Sequence, residues 1–535
     1  MEKRTFLAII LSILVLFFYQ NLVIDKMVKK PQARPDISQP IAIKEVTDKT
    51  IIQDSIAGST ETEIPQEKNT KEKLSTIENE SLLAVFSNVG GRLKNIEIKN
   101  KDILPVDNIF CLEQYKNAEF DLIANQNNKI SYRLISNGFE IINSYDLSNQ
   151  KYLIKQEVLI KNISQMSNVN NITISALRIN TELLKKKDDR ENGLYEYSVA
   201  SGMKVIRKSG AYKFSQKEEK NENQSINWLG FRNKFYCAVF KPEFEVASYS
   251  INPVDENNLR MLVQTKPIAI NPGETVSLKS TYYFGPQDQN ILKSYGLGDF
   301  VVFSQFWLLD MISKAIIEIV QFLNKFVPSL GFCLILVSIL VYGAMYPLTM
   351  SGMMSMRKMQ ALQPKMAKLK EQYKNNPQKL NQEVMNLYKD NSINPFGGCL
   401  PFILQMPVFI ALYQALWRSV IFQEHGFLCI KDLSMPDRLY IFPTSFPLIG
   451  NELNILPLLM MVAMFFQQKL SAKNMVVTDP NQVMQQKMML WFFPIFLGIL
   501  FYKFASGLNL YFTVFYVLST LTQLKMSKMT TIENE

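Results

Sequence analysis

INPFGGCLPFILQMPVFIALYQALWRSV, residues 393–420, decides how the rest of this chain is read. The Gly397-Gly398 pair opens a run of about twenty mostly apolar residues, enough to cross a hydrocarbon layer as a helix rising ~1.5 Å per residue. Three polar side chains interrupt it: Gln405, Gln414 and Arg418. A charge at mid-depth disfavours membrane insertion by roughly 2.5 to 3.5 kcal/mol, so polar groups there need a reason. Arg418, near one end, can reach the headgroup layer, and the glutamines can bond to neighbouring helices. The alternative is a polar surface inside the membrane that something else uses. Gln414 and Arg418 are four apart on one helical face, whereas Gln405 lies nearly opposite Gln414.

Around this stretch the chain divides into two compositions. Up to about residue 300 it is polar and rich in Asn and Lys; beyond that it is a series of apolar segments, which implies a soluble domain tethered to a membrane domain. The net charge is +10. Of this, +8 lies in residues 1–4, 351–398, 469–488 and 525–535, the segments that flank apolar runs on one side. That is the positive-inside pattern of a membrane protein, and it needs no nucleic acid to explain it. The five cysteines show no CxxC spacing, so neither a metal site nor a disulfide framework follows. Cys111 and Cys237 can pair only in an oxidising compartment and only if the fold brings them together. A lone histidine, His425, argues against a His-dependent catalytic triad and excludes a multi-histidine metal site within one chain.

Residues 1–28 read as an uncleaved signal anchor, with Lys3 and Arg4 before a long apolar run. Residues 29–80 contain no Phe, Tyr or Trp and read as a disordered linker. Residues 81–300 consist of short alternating runs such as YLIKQEVLIKNI and NLRMLVQTKPIAI, bounded by Asn, Gly or Pro, and predict an antiparallel β-sandwich. Within it the Lys-rich interval 185–224 reads as a loop or solvated insertion. Residues 301–327 predict an amphipathic helix lying on the membrane surface, with Asp310, Lys314 and Glu318 four apart on one stripe. Residues 328–528 form the predicted membrane core, with spans at about 329–350, 399–422, 452–468, 489–504 and 508–524. Residues 529–535 are a short tail. Between the first two of these spans, residues 351–392 predict a helical hairpin broken at Asn375-Asn376-Pro377. Its first arm is kinked at Pro364 and its methionine-rich stripe reads as core. With the anchor this makes six crossings, both termini on one side and the sandwich on the other. Ser338 and Tyr342, four apart in the 329–350 span, share a face.

GGCLPFILQMPVFIALY, VTDPNQVMQQKMM, YPLT, SMRKMQALQPKM and SGLNLY resemble the YidC-type membrane protein insertases. FSNVGGRLKNIEIK, INWLGFRNKFY and GPQDQNILKSYG are similar to the periplasmic domain of the Gram-negative form, so the resemblance covers nearly the whole chain. It implies a protein of the bacterial inner membrane, with the sandwich in the periplasm and both termini in the cytoplasm. It also implies five core helices enclosing a hydrophilic groove closed on the external side and open to lipid and cytoplasm. Such proteins insert nascent membrane proteins, alone or beside the Sec translocon, without covalent chemistry or a cofactor. The groove of the family commonly carries a positive residue on its second span; here that position is Tyr342. Ser338 matches a family hydroxyl, and Tyr511 with Phe512 matches a tyrosine-rich pair. The expected groove residues are therefore Ser338, Tyr342, Gln405, Gln414, Arg418, Asn509 and Tyr511, with Arg418 the source of positive potential. Arg357, Lys358, Lys365 and Lys368 of the hairpin are expected to receive the ribosome-bound substrate. Two other functions compete. A small-solute transporter finds no pair of matching repeats with interrupted helices. A membrane-anchored carbohydrate-binding protein would need only the sandwich.

Overall fold

The structure, a computed structural model, describes residues 72–533 except 100–102, 110, 148–149, 181–194, 203, 211–218, 223–224, 256–257, 305, 394–399, 447–449 and 474–479. The expected anchor, residues 1–28, and most of the expected linker lie outside the described residues.

Alternating side chains build two antiparallel nine-stranded sheets. One runs from Leu74–Glu78 at one edge to Glu219–Glu222 at the other, and the second from Lys204–Gly210 to Asp121–Gln126. In Phe139–Asp146 every second residue is buried, which sends Phe139, Ile141 and Tyr145 into the space between the sheets. Register locks the centre of the second sheet: Phe240 pairs with Tyr282 and Tyr282 with Ile154, and the first two rings lie 4.9 Å apart. Asn143 shares the inward phase, and its polar atoms are bonded there. Its amide donates to the Gly91 carbonyl at 2.8 Å and accepts from Gln156 at 2.9 Å. The turn that presents this carbonyl needs glycine. Gly90 and Gly91 have φ of 75° and 52°, and a Cβ on Gly90 would lie 2.8 Å from the Lys116 carbonyl oxygen.

Two sequence expectations are corrected here. The sandwich begins at Leu74, not 81, because Leu74–Glu78 pairs with Leu82–Ser87 and buries Ile77. Short aliphatic and polar side chains concealed that strand. The Lys-rich interval is not simply a loop, since it contributes the strands Tyr195–Ser201, Lys204–Gly210 and Glu219–Glu222. Cys111 and Cys237 are both free and buried, so they do not pair.

Among the described residues eight longer helices follow. α1 (Trp307–Asn324) lies within residues 301–327, where an amphipathic helix is expected, and starts six residues later. It buries Ile316, Ile317 and Val320 and leaves Trp307, Met311 and Phe322 exposed, while Lys314 pairs with Asp310 at 2.9 Å. α2 (Leu330–Ala361) runs without a break from the apolar span into the first arm of the predicted hairpin. The chain then restarts as α3 (Gln363–Gln372), whose first turn contains Pro364, where the missing N–H costs no helical hydrogen bond. The break at Asn376 is as expected: its side chain caps α4 (Pro377–Asp390) by accepting from the Lys379 N–H. Within the stripe Leu362 and Met366 are buried and Met356, Met359, Leu369 and Tyr373 half-buried, whereas Met354 and Met385, off the stripe, are exposed. α5 (Leu400–Arg418), α6 (Leu456–Lys473), α7 (Pro480–Leu500) and α8 (Ser506–Glu533) complete the core. The expected tail from 529 is therefore helical to Glu533. Among the described residues, Leu330–Met359 is long and apolar enough to cross a membrane, with mean hydropathy 2.0, and shorter apolar helices cover Leu456–Ala472 and Met488–Lys503.

The core that joins these parts is continuous. Trp228, Val239 and Tyr283 of the sandwich share one buried cluster with Phe300, Ile317, Leu334, Leu416 and Leu508. The helical region is thus packed against the sandwich and not merely strung from it.

Candidate functional site: polar side chains between the core helices

Apolar helices meet most cheaply through small and aromatic side chains, so each polar contact between them is informative. Gln405 of α5 donates from its amide to the Tyr511 hydroxyl of α8 at 2.8 Å, and Tyr511 is 1% exposed. About three turns further along α8, the Tyr342 hydroxyl of α2 donates to Thr522 Oγ1 at 2.8 Å. The Tyr342 ring packs edge-on to Phe515, with centroids 5.4 Å apart. α8 is therefore cross-bonded to two neighbours. Gln523 extends the set to α6, donating to Ser471 Oγ at 2.7 Å.

The other expected residues behave differently. Ser338 is fully buried and its hydroxyl donates to Leu334 of its own helix at 2.7 Å. Asn509 is 1% exposed and donates to the Phe501 carbonyl at 3.2 Å, but its Oδ1 has no partner among the described residues. Gln414 Oε1 is likewise buried and unpartnered. Arg418, half-buried at the last turn of α5, makes no hydrogen bond or ion pair among the described residues. The structure thus joins Gln405 to Tyr511, keeps Gln414 and Arg418 one turn apart, and leaves Gln405 on the far side of α5 from Gln414. Of the basic residues in the hairpin, Lys358, Lys365 and Lys368 are exposed and Arg357 is half-buried.

Sequence reasoning missed two groups. Thr522 is the partner of Tyr342, and the run Ser519, Thr520, Thr522, Gln523 inside an apolar segment was the available signal. The second group lies where the sandwich meets the helices. Glu196 and Arg232, on neighbouring strands, pair at 2.8 Å with side chains only 9% and 6% exposed, and Arg207 approaches the same carboxylate at 3.5 Å. Arg232 also donates to the Val302 carbonyl at 2.8 Å, and Arg207 to the Phe300 carbonyl at 3.2 Å. Together they hold the segment that leads into α1. Burial, and then the neighbouring Arg232, push the Arg207 guanidinium below its ordinary range while Glu196 pulls it back. Arg418 lies within the electrostatic reach of this group. Beside it, Lys234 stands 4.5 Å from the Phe235 ring centroid and 5.9 Å from that of Trp417. Tyr236 donates to Gln423 at 3.1 Å.

Comparison with known proteins bears directly on this arrangement. The profile described as 60Kd inner membrane protein matches residues 322–534, the helical core. That described as YidC periplasmic domain matches residues 113–317, most of the sandwich. The chain belongs to the YidC family. The membrane protein insertase YidC of Geotalea uraniireducens is 29% identical over 560 residues, covering 99% of both chains. That of Pelodictyon phaeoclathratiforme is 32% identical over 353 residues, covering 65% of this chain and 59% of the relative; for the Chlorobaculum parvum protein the identity is 32%, with 63% and 57% covered. The match thus spans less than two thirds of the length of these last two relatives. Among solved structures, an active YidC insertase is 17% identical, covers 85% of this chain and 93% of its own, and has a TM-score of 0.38. A galactose mutarotase-like protein from Lactobacillus casei is 10% identical, covers 40% of this chain and 100% of its own, and has a TM-score of 0.32. At these TM-scores neither likeness bears on function. YidC proteins are inner membrane proteins with a periplasmic domain, and the two matched segments divide the chain accordingly.

Proposed function

We propose that this YidC-family protein is a membrane protein insertase that passes polar segments of nascent membrane proteins across the inner membrane, alone or with the Sec translocon. The route is a hydrophilic groove lined by Ser338, Tyr342, Gln405, Gln414, Arg418, Asn509 and Tyr511. The observation that carries this reading is that Gln414 Oε1 and Asn509 Oδ1, buried acceptors on largely apolar helices, lack a donor among the described residues. A polar atom in that setting is costly without a hydrogen bond, and water entering from a groove supplies one.

The physical task is to move a short polar segment through ~30 Å of hydrocarbon while its apolar neighbour enters the lipid. A wet recess reaching partway across shortens the dry distance and gives the backbone groups of the segment partners. No bond is made or broken, and the membrane potential with burial of the apolar segment drives the transfer. The position that commonly carries a positive charge in this family is Tyr342, whose hydroxyl is engaged with Thr522. The positive potential therefore falls to Arg418, which has no competing ion pair among the described residues. The cytoplasmic hairpin, through Arg357, Lys358, Lys365 and Lys368, receives the substrate beside the ribosome. Replacing Arg418 by Ala and measuring insertion of a substrate with an acidic external tail tests the assignment. Insertion is expected to fall for that substrate and to hold for a neutral-tailed one; unchanged insertion of both removes Arg418 from the mechanism.

A further inference from the structure

The strands Trp228–Arg232 and Tyr236–Pro242 of the second sheet are joined through Asn233, Lys234 and Phe235. Asn233 braces this turn from within. Its side-chain oxygen accepts from the N–H groups of Phe235 and Tyr236 at 3.0 and 2.7 Å, and its carbonyl accepts from Gln287 at 2.7 Å. Lys234, Phe235 and Tyr236 are all buried, because the turn meets the end of α5 and the chain beyond it. Lys234 faces the Phe235 and Trp417 rings at 4.5 and 5.9 Å, Tyr236 donates to Gln423 at 3.1 Å, and Val420 packs against the core of the sandwich. Lys234 also donates to Met435 Sδ at 3.7 Å, and the Met435 carbonyl accepts from the N–H of Ser506, where α8 begins, at 2.7 Å.

Trp417 and Val420 bracket Arg418, so the sandwich holds the chain on both sides of the residue that serves as cation of the proposed groove. A lysine is a costly choice for packing alone, since taking an ammonium out of water is disfavoured where burying an apolar side chain is not. What the cation adds is direction: its attraction to an aromatic ring is confined to the ring face, so Lys234 orients Trp417 and with it the last turn of α5. We propose that Lys234 and Tyr236 are positioning residues for Arg418. The turn of the sandwich sets where that guanidinium stands, and thereby the preference for clients whose transferred segment is acidic. Both side chains are buried and neither touches the client. The inference rests on reading Arg418 as the source of positive potential.

The test reconstitutes full-length protein into phosphatidylethanolamine–phosphatidylglycerol vesicles and measures insertion of two clients that differ only in an acidic or a neutral external tail. The variants are Arg418→Ala, Lys234→Met, Lys234→Arg, Tyr236→Phe, and Lys234→Met combined with Arg418→Ala. In Lys234→Met the ratio of acidic to neutral insertion is expected to fall at least about twofold, the change that one cation–π contact can hold in an equilibrium. It is expected to fall in Tyr236→Phe, to hold in Lys234→Arg, which keeps the cation, and to fall no further when Lys234→Met is added to Arg418→Ala. A ratio that falls in Arg418→Ala but holds in both Lys234→Met and Tyr236→Phe overturns the inference and leaves the reading of Arg418 standing. A ratio unchanged in Arg418→Ala overturns both. Equal loss of the two clients in Lys234→Met makes the lysine ordinary packing, and a further fall in the combined variant makes it a second attracting charge; either result overturns the inference too.

Discussion

Glu196→Ala removes the carboxylate shared by Arg232 and Arg207 at the junction between sandwich and helices. Because the closer pair is nearly dry, at 9% and 6% exposure, solvent screens little of it. Breaking such a pair from one side costs about 3–5 kcal/mol, since the remaining charge stays buried without compensation. Arg232 retains the Val302 carbonyl and Gln287, which favours the lower end; loss of the shared anion also leaves two guanidinium groups facing each other, which favours the upper. With a urea slope of about 1–3 kcal/mol/M, a loss near 3 kcal/mol moves the unfolding midpoint down by roughly 1–3 M. Cys237 is a local reporter, being fully buried and paired with Arg232 across the sheet. Its labelling is followed across a urea series in full-length protein carrying Cys429→Ser. Lys266→Ala is the control: its pair with Glu245 is 61% and 78% exposed and screened by solvent, so its loss is expected to leave the midpoint in place. The double replacement Glu196→Met with Arg232→Met is expected to recover most of the loss, because packed apolar groups can replace a buried ion pair. A midpoint for Glu196→Ala no lower than that of the control refutes the reasoning.

Three further outcomes follow from named contacts. In the native protein a maleimide modifies exposed Cys429 first, while Cys111 and Cys237 react only on unfolding, because burial excludes the reagent and pushes both thiols up; equal rates by mass spectrometry contradict their placement. Gly331→Ala puts a methyl group into the Phe427 ring, which packs edge-on to Phe332 at 5.0 Å, and is expected to lower thermal stability in detergent by about 1–3 kcal/mol. Gly343→Ala, with nothing near the added carbon, is expected not to destabilise. Gln405→Leu and Tyr511→Phe are expected to be non-additive in a thermal double-mutant cycle, since each breaks the same 2.8 Å bond; strict additivity argues against the bond.

Much of this architecture was legible because periodicity is local. The alternation in YLIKQEVLIKNI announces the strand Leu153–Asn162, and the Asn376-Pro377 break announces the hairpin turn. The Lys-rich interval misled because two of its described lysines occupy the outward phase: Lys204 and Lys208 are exposed, while Glu196 and Val199 of the preceding strand are buried. The pair Glu196–Arg232 joins residues 36 apart, and Tyr342–Thr522 residues 180 apart. Spacing marked Ser338 and Tyr342 as sharing a face, but no local pattern names a partner on another helix. For the same reason Arg418 was legible as an unusual charge, while its nearness to the sandwich cations was not.

The central claim is that the polar side chains between α2, α5 and α8 line a water-accessible path taken by a client chain. Site-specific photocrosslinking to a ribosome-stalled membrane protein tests it most directly, with the probe at position 342, 405 or 414 and at exposed Leu459 of α6 as reference. The account predicts client adducts from the three polar positions that exceed those from 459 and move along the client as the stall point advances. Adducts confined to 459, with none from 342, 405 or 414 at any chain length, would contradict it.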